Sequence, residues 1–325
     1  MTETKPSETV QSNPAASGSD VRRPGFPWHA LLRPSAWPSL FAMGLFLPMA
    51  LLPMRALVGP GRLIGRLLSL NRRIREVTFE NIERCFSDLK AEDRQALVQE
   101  THRELGTSLV ESVKTWVRFR PDNPEFDVVD YDNLMQFEAA LDQGNGVIIL
   151  AAHYGSTELN GAFLSRLDRR GRRLVAIYRQ PTNRMVDEII RWGRGKIVDR
   201  LITSQNMRAV AEELKAGSIL WVAADLRVTE KNAVVSRFMG QPMESSDAIF
   251  RIAHLSGSTI IPACHRRNPD GTGYRFTFLD PVWIEKRWPP RRRARRLLRN
   301  VEKMISPAPQ FYWWCIKRFP DDPAA

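Results

Sequence analysis

The alternation of apolar and polar positions divides the chain into three parts. Residues 1–25 are polar, rich in Ser, Pro, Thr and Gly, and have no apolar period, which predicts a disordered tail. Residues 26–60 contain the most apolar stretch of the chain. Residues 61–325 combine helix and strand patterns, and the length of the chain suits one large domain or two small ones.

The apolar stretch at 37–59 predicts association with a membrane. Its uncharged part, 40–54, is shorter than the about 20 residues that a spanning helix needs, and Pro48 and Pro53 interrupt it. The arginines around it are Arg33, Arg55, Arg62 and Arg66. A short or kinked anchor, a helix pair lying on the bilayer and an ordinary core helix all fit the pattern. We favour the membrane because a soluble domain rarely places so apolar a run beside so many arginines.

The remaining chain changes its period near residue 120. Residues 61–120 repeat apolar positions at helical spacing, as in Leu63, Leu67, Leu70 and Ile74. From 121 to 325, short apolar runs alternate with amphipathic stretches. The runs begin at Gly146, Leu174, Ser218, Ala233 and Thr259, and a further strand is predicted at 274–279. The helical stretches lie at about 156–168, 184–197, 206–216, 245–256 and 289–306. This pattern predicts an α/β fold with a mixed, mostly parallel sheet flanked by helices.

The excess of basic residues predicts an anionic partner. The 325 residues include 48 Lys and Arg against 36 Asp and Glu, a net charge of +12, and 39 of the cations are Arg. Arginine presents a planar fork of donors that fits phosphate and carboxylate. Composition alone therefore leaves nucleic acid, anionic lipid and a phosphorylated substrate open. The three cysteines are far apart in sequence, which favours a reducing compartment over a disulfide scaffold.

The first candidate for chemistry is His153, which directly follows an apolar strand. Gly155 permits a sharp turn there, Ser156 can cap the next helix, and Glu158 lies in that helix's first turn. A carboxylate that binds one imidazole nitrogen leaves the other free to take a proton from a hydroxyl. The spacing is thus compatible with a general base and its orienting acid. It also fits a histidine that merely ends a strand.

Two further strand ends carry polar residues. Arg179 follows the strand at 174–178, and Asp225 and Arg227 follow the strand at 218–224. Gly240 lies in the next loop, where backbone N–H groups can cradle an anion. Each of these residues also fits a plain surface position. Neither the histidine spacing nor the cysteines suggest a metal site, and no nucleotide-binding glycine motif occurs.

Several motifs in order resemble the late acyltransferases of lipid A biosynthesis, the lauroyl and myristoyl transferases of the lysophospholipid acyltransferase superfamily. The resemblance covers roughly residues 37–320. The matching segments are Asn81-Ile-Glu-Arg-Cys-Phe86, His153-x₄-Glu158, Tyr178-Arg179, Gln310-Phe-Tyr-Trp313 and Lys317-Arg-Phe319. The chain departs from the family pattern at Ser87, Gln180, Leu226 and Phe311.

This resemblance implies an inner-membrane enzyme whose catalytic domain faces the cytoplasm. It would move an acyl chain from acyl carrier protein to a hydroxyl on a primary acyl chain of a phosphorylated lipid A precursor. His153 would be the general base and Glu158 its partner, without cofactor or metal. Arg179, Asp225, Arg227 and Gly240 are the predicted substrate-binding residues. Inner-membrane lipids and the acidic carrier would be its other partners.

Two alternatives remain at this stage. The same fold could act on a lysophospholipid or another lipid, although the ordered C-terminal signature argues against this. A basic nucleic-acid-binding protein would explain the run Arg291-Arg-Arg-Ala-Arg-Arg296, but no nucleic-acid-binding motif accompanies it. We therefore expect no nucleic acid partner. The sequence does not indicate the chain length of the donor.

Overall fold

Helices surround a sheet in the computed structural model, which describes residues 25–28, 37, 41, 44, 46–228 and 233–320. The α-helices in this part of the chain are α1 (Val58–Leu68), α2 (Arg72–Cys85), α3 (Ala91–Arg118), α4 (Leu134–Asp142), α5 (Thr157–Arg166), α6 (Arg184–Arg194), α7 (Met207–Lys215), α8 (Ala248–Ser256) and α9 (Pro290–Ile305). Short 3₁₀ turns lie at Pro48–Leu51, Met54–Leu57, Pro124–Phe126 and Pro309–Phe311.

The central sheet has seven strands in the order β1-β9-β8-β2-β5-β3-β4. The strands of the described chain are β1 (Val129–Asp132), β2 (Val147–Ala151), β3 (Leu174–Tyr178), β4 (Arg200–Thr203), β5 (Ile219–Ala223), β6 (Val234–Phe238), β7 (Gln241–Ser245), β8 (Thr259–Arg267) and β9 (Tyr274–Phe278). Within the sheet, β8 and β9 pair antiparallel and the other neighbours pair parallel. Strands β6 and β7 form a separate antiparallel hairpin.

The middle strands are apolar at every position because both faces of the sheet are covered. Along β2, Ile149 faces a layer built from α3, α4 and α5. Its neighbours Ile148 and Leu150 face a layer built from α7, α8 and α9. All five residues of β2 are buried, which is the pattern expected of a parallel strand between two helical layers. This arrangement leaves only the strand ends available for chemistry.

The N-terminal helices pack on the first of these layers. Gly65 of α1 and Gly106 of α3 let the two helices meet backbone to backbone, because a Cβ at either position would overlap the facing main chain. Lys114 of α3 is buried, and its Nζ donates to the carbonyl oxygens of Ala50 at 3.1 Å and Leu52 at 2.6 Å. The end of the apolar segment is thereby tied to α3.

The predicted α/β class and its mostly parallel sheet are confirmed. The run at Ala233 was wrongly assigned to the central sheet, because it lies in the β6–β7 hairpin and has one exposed face. The helix predicted from 245 begins at Ala248, after β7. Strands β1 and β4 were not predicted, because each has only four residues and carries charged positions.

The structure describes only part of the predicted tail and apolar segment. The tail predicted at 1–25 lies almost wholly outside the described residues, as does much of the apolar segment. The domain boundaries at 25, 60 and 120 remain predictions. Among the residues that are described, no helix has both the length and the apolar character needed to cross a bilayer.

Candidate active site

Strand register brings His153 beside Asp225. Strands β2 and β5 are parallel neighbours, and their last residues, Ala151 and Ala223, are paired. His153 and Asp225 each lie two residues beyond that pair. They therefore leave the same edge of the sheet side by side, at the carboxyl ends of adjacent strands, where α/β proteins place their ligands.

Asp225 holds the imidazole through two hydrogen bonds. Its Oδ1 lies 2.8 Å from Nδ1 of His153, and its Oδ2 accepts from the backbone N–H of the same residue at 3.1 Å. An ionised carboxylate is an acceptor only, so Nδ1 carries the proton and Nε2 is left as the basic nitrogen. The His153 side chain remains 22% exposed, which lets a substrate approach it.

Arg318 is the second partner of the Asp225 carboxylate. Its Nη1 donates to Oδ2 of Asp225 at 2.9 Å, and both side chains are fully buried. Burial by itself raises the pKa of Asp225, but the charges of His153 and Arg318, with the hydrogen bonds from His153, outweigh it. The pKa of this carboxyl therefore lies well below its usual range, and the group is ionised wherever the protein is folded near neutrality.

The C-terminal segment fixes the loop that carries His153. The N–H of Trp313 donates to the carbonyl of His153 at 2.9 Å, and its indole Nε1 donates to the carbonyl of Gly155 at 2.9 Å. The N–H of Gly155 donates to the carbonyl of Phe311 at 2.8 Å. Gly155 has φ +60°, a conformation that glycine adopts without strain. The histidine is thus held by main chain that is distant in sequence.

The orienting contact predicted for Glu158 is corrected by the structure. Glu158 lies in the first turn of α5 as expected, but its carboxylate binds Arg194 of α6. Arg194 donates through Nη2 at 2.8 Å and through Nε at 3.0 Å, and Glu158 is 3% exposed. Both carboxylate oxygens are occupied by this guanidinium. The imidazole takes its acid from β5 instead, because the strand register already places Asp225 beside it.

The other predicted residues are placed differently from one another. Arg179 follows β3 at the same edge of the sheet and is exposed. Arg227 forms an ion pair with Glu244 of β7, with Nε and Oε2 2.5 Å apart. Asp225 is fully buried and bonded to His153 and Arg318, which corrects the substrate contact predicted for it. Substrate contacts by Arg179 and Arg227 stay predictions.

Gly240 lies in the turn of the β6–β7 hairpin. Met239 and Gly240 have φ values of 49° and 81°, as in the two-residue turns that match the twist of a hairpin. The N–H of Met239 donates to Glu302 of α9 at 2.6 Å, so a protein carboxylate already occupies this donor. The structure gives Gly240 a local reason to be glycine, and an anion contact there stays a prediction.

No role was predicted for Arg318 or Trp313, although both lie in the C-terminal motifs Gln310–Trp313 and Lys317–Phe319. The signal that could have found them is chemical: a buried carboxylate that holds a histidine needs a second cation or donor. Among the described residues, no three His, Cys, Asp or Glu side chains are grouped as metal ligands. The arrangement that exists is a histidine with an oriented, basic Nε2 at the open edge of an α/β sheet.

An oriented, basic imidazole at such an edge has the chemistry needed to take a proton from a hydroxyl during group transfer. Comparison with known proteins narrows this chemistry to one family. Residues 23–320 match the bacterial lipid A biosynthesis acyltransferase family. The chain belongs to this family and is an acyltransferase of lipid A biosynthesis.

Curated relatives from two species agree with this assignment. The chain is 26% identical over 299 residues to the lipid A biosynthesis lauroyltransferase of Escherichia coli K12, covering 90% of this chain and 95% of that protein. It is 28% identical over 297 residues to the palmitoleoyltransferase of the same strain, covering 90% and 94%. A lipid A biosynthesis acyltransferase of Haemophilus influenzae is 25% identical, with coverage of 90% and 93%.

Proposed function

We propose that the chain transfers a fatty acyl group of the lauroyl or myristoyl class from acyl carrier protein to a hydroxyl on a primary acyl chain of a lipid A precursor. The observation that carries this proposal is the His153–Asp225–Arg318 arrangement at the sheet edge. It supplies a base oriented for a hydroxyl nucleophile. The two Escherichia coli relatives are named for different acyl groups, and the protein has a similar sequence identity to each of them. Sequence identity therefore does not select one acyl chain length.

The chemistry needs no covalent enzyme intermediate. Nε2 of His153 takes the proton of the acceptor hydroxyl as its oxygen attacks the thioester carbonyl. The tetrahedral intermediate then collapses, the C–S bond breaks, and the imidazolium returns the proton to the leaving thiolate. Asp225 stabilises the imidazolium through Nδ1 while remaining ionised itself. The product is an ester on the lipid and a free thiol on the carrier.

Charge that develops on the carbonyl oxygen requires a donor. Arg179 is the candidate among the predicted residues, because it is exposed at the same edge of the sheet as His153. Glu158 is assigned a positioning role. Its ion pair with Arg194 ties α5, the helix that follows the histidine loop, to α6. Arg227 and Gly240 are secondary candidates for contacts with substrate.

We further propose that the enzyme acts at the inner membrane with its catalytic domain on the cytoplasmic face. Leu63, Leu67 and Leu70 lie at successive helical turns of α1 and just beyond it, and they are 56%, 58% and 73% exposed. Arg66 stands among them, as in helices that rest on anionic bilayers. An exposed apolar stripe of this kind supports a surface-bound arrangement of the described helices.

The test is acyl transfer by purified protein from acyl carrier protein to a lipid A precursor in detergent micelles. His153→Ala should lower kcat by about 10³-fold or more, because the base is removed. The matched control is His254→Ala, an exposed histidine of α8, which should retain activity. Carriers loaded with lauroyl, myristoyl and palmitoleoyl chains compare the donors. Full turnover in His153→Ala would overturn the mechanism, and no transfer by the native enzyme would overturn the proposed function.

A further inference from the structure

A cavity of about 880 Å³ lies between the N-terminal helices and the sheet edge. Its walls come from α1, α3, the β8–β9 hairpin and the 3₁₀ turn at Pro309–Phe311. Side chains that matter for its chemistry are Arg62, Glu100, Glu104, Arg266, Gln310 and Phe311. Its volume is in the range of pockets that take small molecules or cofactors. None of the residues assigned to catalysis lines it.

The cavity opens beside the histidine loop. Phe311 forms part of its wall, and the carbonyl of the same residue accepts from the N–H of Gly155, two residues after His153. The rings of Phe311 and Tyr154 have centroids 5.7 Å apart. Strand β8 runs parallel to β2, with Pro262 paired to Leu150, so Arg266, near the end of β8, lies at the same edge of the sheet as the histidine. The cavity therefore adjoins the reaction centre.

Most of the charged side chains that line the cavity form ion pairs with neighbouring residues. Arg62 of α1 binds Glu100 of α3, and Arg267 binds Glu104 with Nη1 and Oε2 2.8 Å apart. Arg275 binds Asp132 at 3.1 Å. Arg266 is exposed and has no ion pair among the described residues. Asp270 also lines the cavity and has no ion pair among the described residues, so the cavity presents one guanidinium and one carboxylate without an ion pair, beside an amide and an aromatic ring.

This mixture suits a phosphorylated sugar. Carboxylates and the Gln310 amide can exchange hydrogen bonds with hydroxyls, and the ring of Phe311 offers an apolar face. A free guanidinium binds phosphate oxygens in a bidentate manner.

We propose that this cavity binds the phosphorylated sugar headgroup of the acceptor and that Arg266 contacts its phosphate. The inference rests on the proposed function and names the part of the substrate that the enzyme recognises. In that reaction the accepting hydroxyl is on an acyl chain, away from the sugar. A headgroup site beside the histidine loop is compatible with that chemistry, because the acyl chain can extend from it toward His153.

The experiment compares two acceptors with two variants in micelles of a neutral detergent. The acceptors are the lipid A precursor with its phosphates and the same lipid after dephosphorylation. The variants are Arg266→Gln and the matched control Arg208→Gln, whose side chain on α7 is 90% exposed. Kinetics are measured with acceptor varied at saturating acyl carrier protein, and with the carrier varied. Donor-free protein is titrated with both acceptors by calorimetry.

Arg266→Gln should raise the acceptor KM roughly tenfold or more on the phosphorylated lipid, because a charge-assisted contact is lost. On the dephosphorylated lipid its KM should equal that of the native enzyme, and the carrier KM should not change. Arg208→Gln should behave as native throughout. Arg266→Lys, which keeps the charge, should recover part of the lost affinity, and thermal melting verifies that each variant is folded.

An equal loss on both acceptors would overturn the phosphate contact. A rise in the carrier KM instead would show that the cavity faces the donor. Either result leaves the proposed function intact when the native enzyme turns over. Absence of turnover in the native enzyme overturns the proposed function, while the calorimetric comparison still reports on the cavity.

Discussion

Two buried carboxylates lie near the histidine loop, and each is paired with a buried or half-buried arginine. Asp225 with Arg318 also binds His153, whereas Glu158 with Arg194 does not. Both pairs neutralise a charge that the fold has removed from water. They differ in the element that positions the acid: Asp225 follows the end of β5 by two residues, and Glu158 lies in α5.

The difference teaches that nearness in sequence is a poor guide to the partner of a catalytic histidine. Glu158 is five residues from His153, but the turn of α5 directs it toward α6. Asp225 is 72 residues away and reaches the imidazole because β5 is hydrogen-bonded to β2 in parallel register. Sheet pairing therefore decides which carboxylate orients the base.

The largest expected difference between Asp225 and Glu158 is in their effect on kcat. Asp225→Asn should lower kcat by about 10²–10⁴-fold, because an amide neither stabilises the imidazolium nor enforces the same tautomer. Steady-state transfer assays measure it. Asp247→Asn is the matched control, since Asp247 is a buried acid paired with Arg293 and has no contact with His153 in the described structure. Equal activity of Asp225→Asn and native enzyme would remove Asp225 from the mechanism.

The second expected difference between the two acids is in their effect on the free energy of unfolding. Glu158→Gln leaves the guanidinium of Arg194 without its counter-charge, and breaking a buried pair costs about 3–5 kcal/mol. We expect the lower end, about 3 kcal/mol, because the Arg194 side chain is 20% exposed. Urea unfolding measures the loss.

The pH–rate profile should keep its native midpoint in Glu158→Gln and move in Asp225→Asn. If Glu158→Gln moves the midpoint as far, Glu158 acts on the base after all.

The smallest expected effect concerns the stability of the fold in mild acid. The depressed pKa of Asp225 keeps its pair with Arg318 intact to pH values well below the usual range for an aspartate. Burial, reinforced by the charge of Arg267, lowers the pKa of His265 from 6.5 to about 3. The unfolded chain therefore takes up a proton that the folded chain does not, and stability falls as pH drops from about 6.5 toward 3.

This histidine should contribute a slope of about 1.4 kcal/mol per pH unit below pH 6. His265→Gln should reduce the slope of the free energy of unfolding between pH 6 and 5 by that amount, and His254→Gln should not. Some slope will remain, because burial and Arg75 also lower the pKa of His102. An unchanged slope in His265→Gln would assign the acid sensitivity to other groups.

Much of the fold could be predicted from the sequence because its signals are local. Buried strands between two helical layers are apolar at every position, so the runs at 147–151, 174–178 and 219–223 were visible. The position of His153 directly after the first of these runs was visible for the same reason. Short strands with charged positions, such as β1 and β4, carry no such signal and were missed.

What only the tertiary structure decided is the set of contacts around the histidine. The order of strands in the sheet depends on pairings between distant segments, and a linear pattern does not encode them locally. Arg318 reaches Asp225 across 93 residues, and Trp313 bonds to the loop of His153. The sequence by itself determined which residue types stand at the strand ends. Tertiary packing determined their partners, because a buried charge requires whichever opposite charge the fold brings within hydrogen-bond distance.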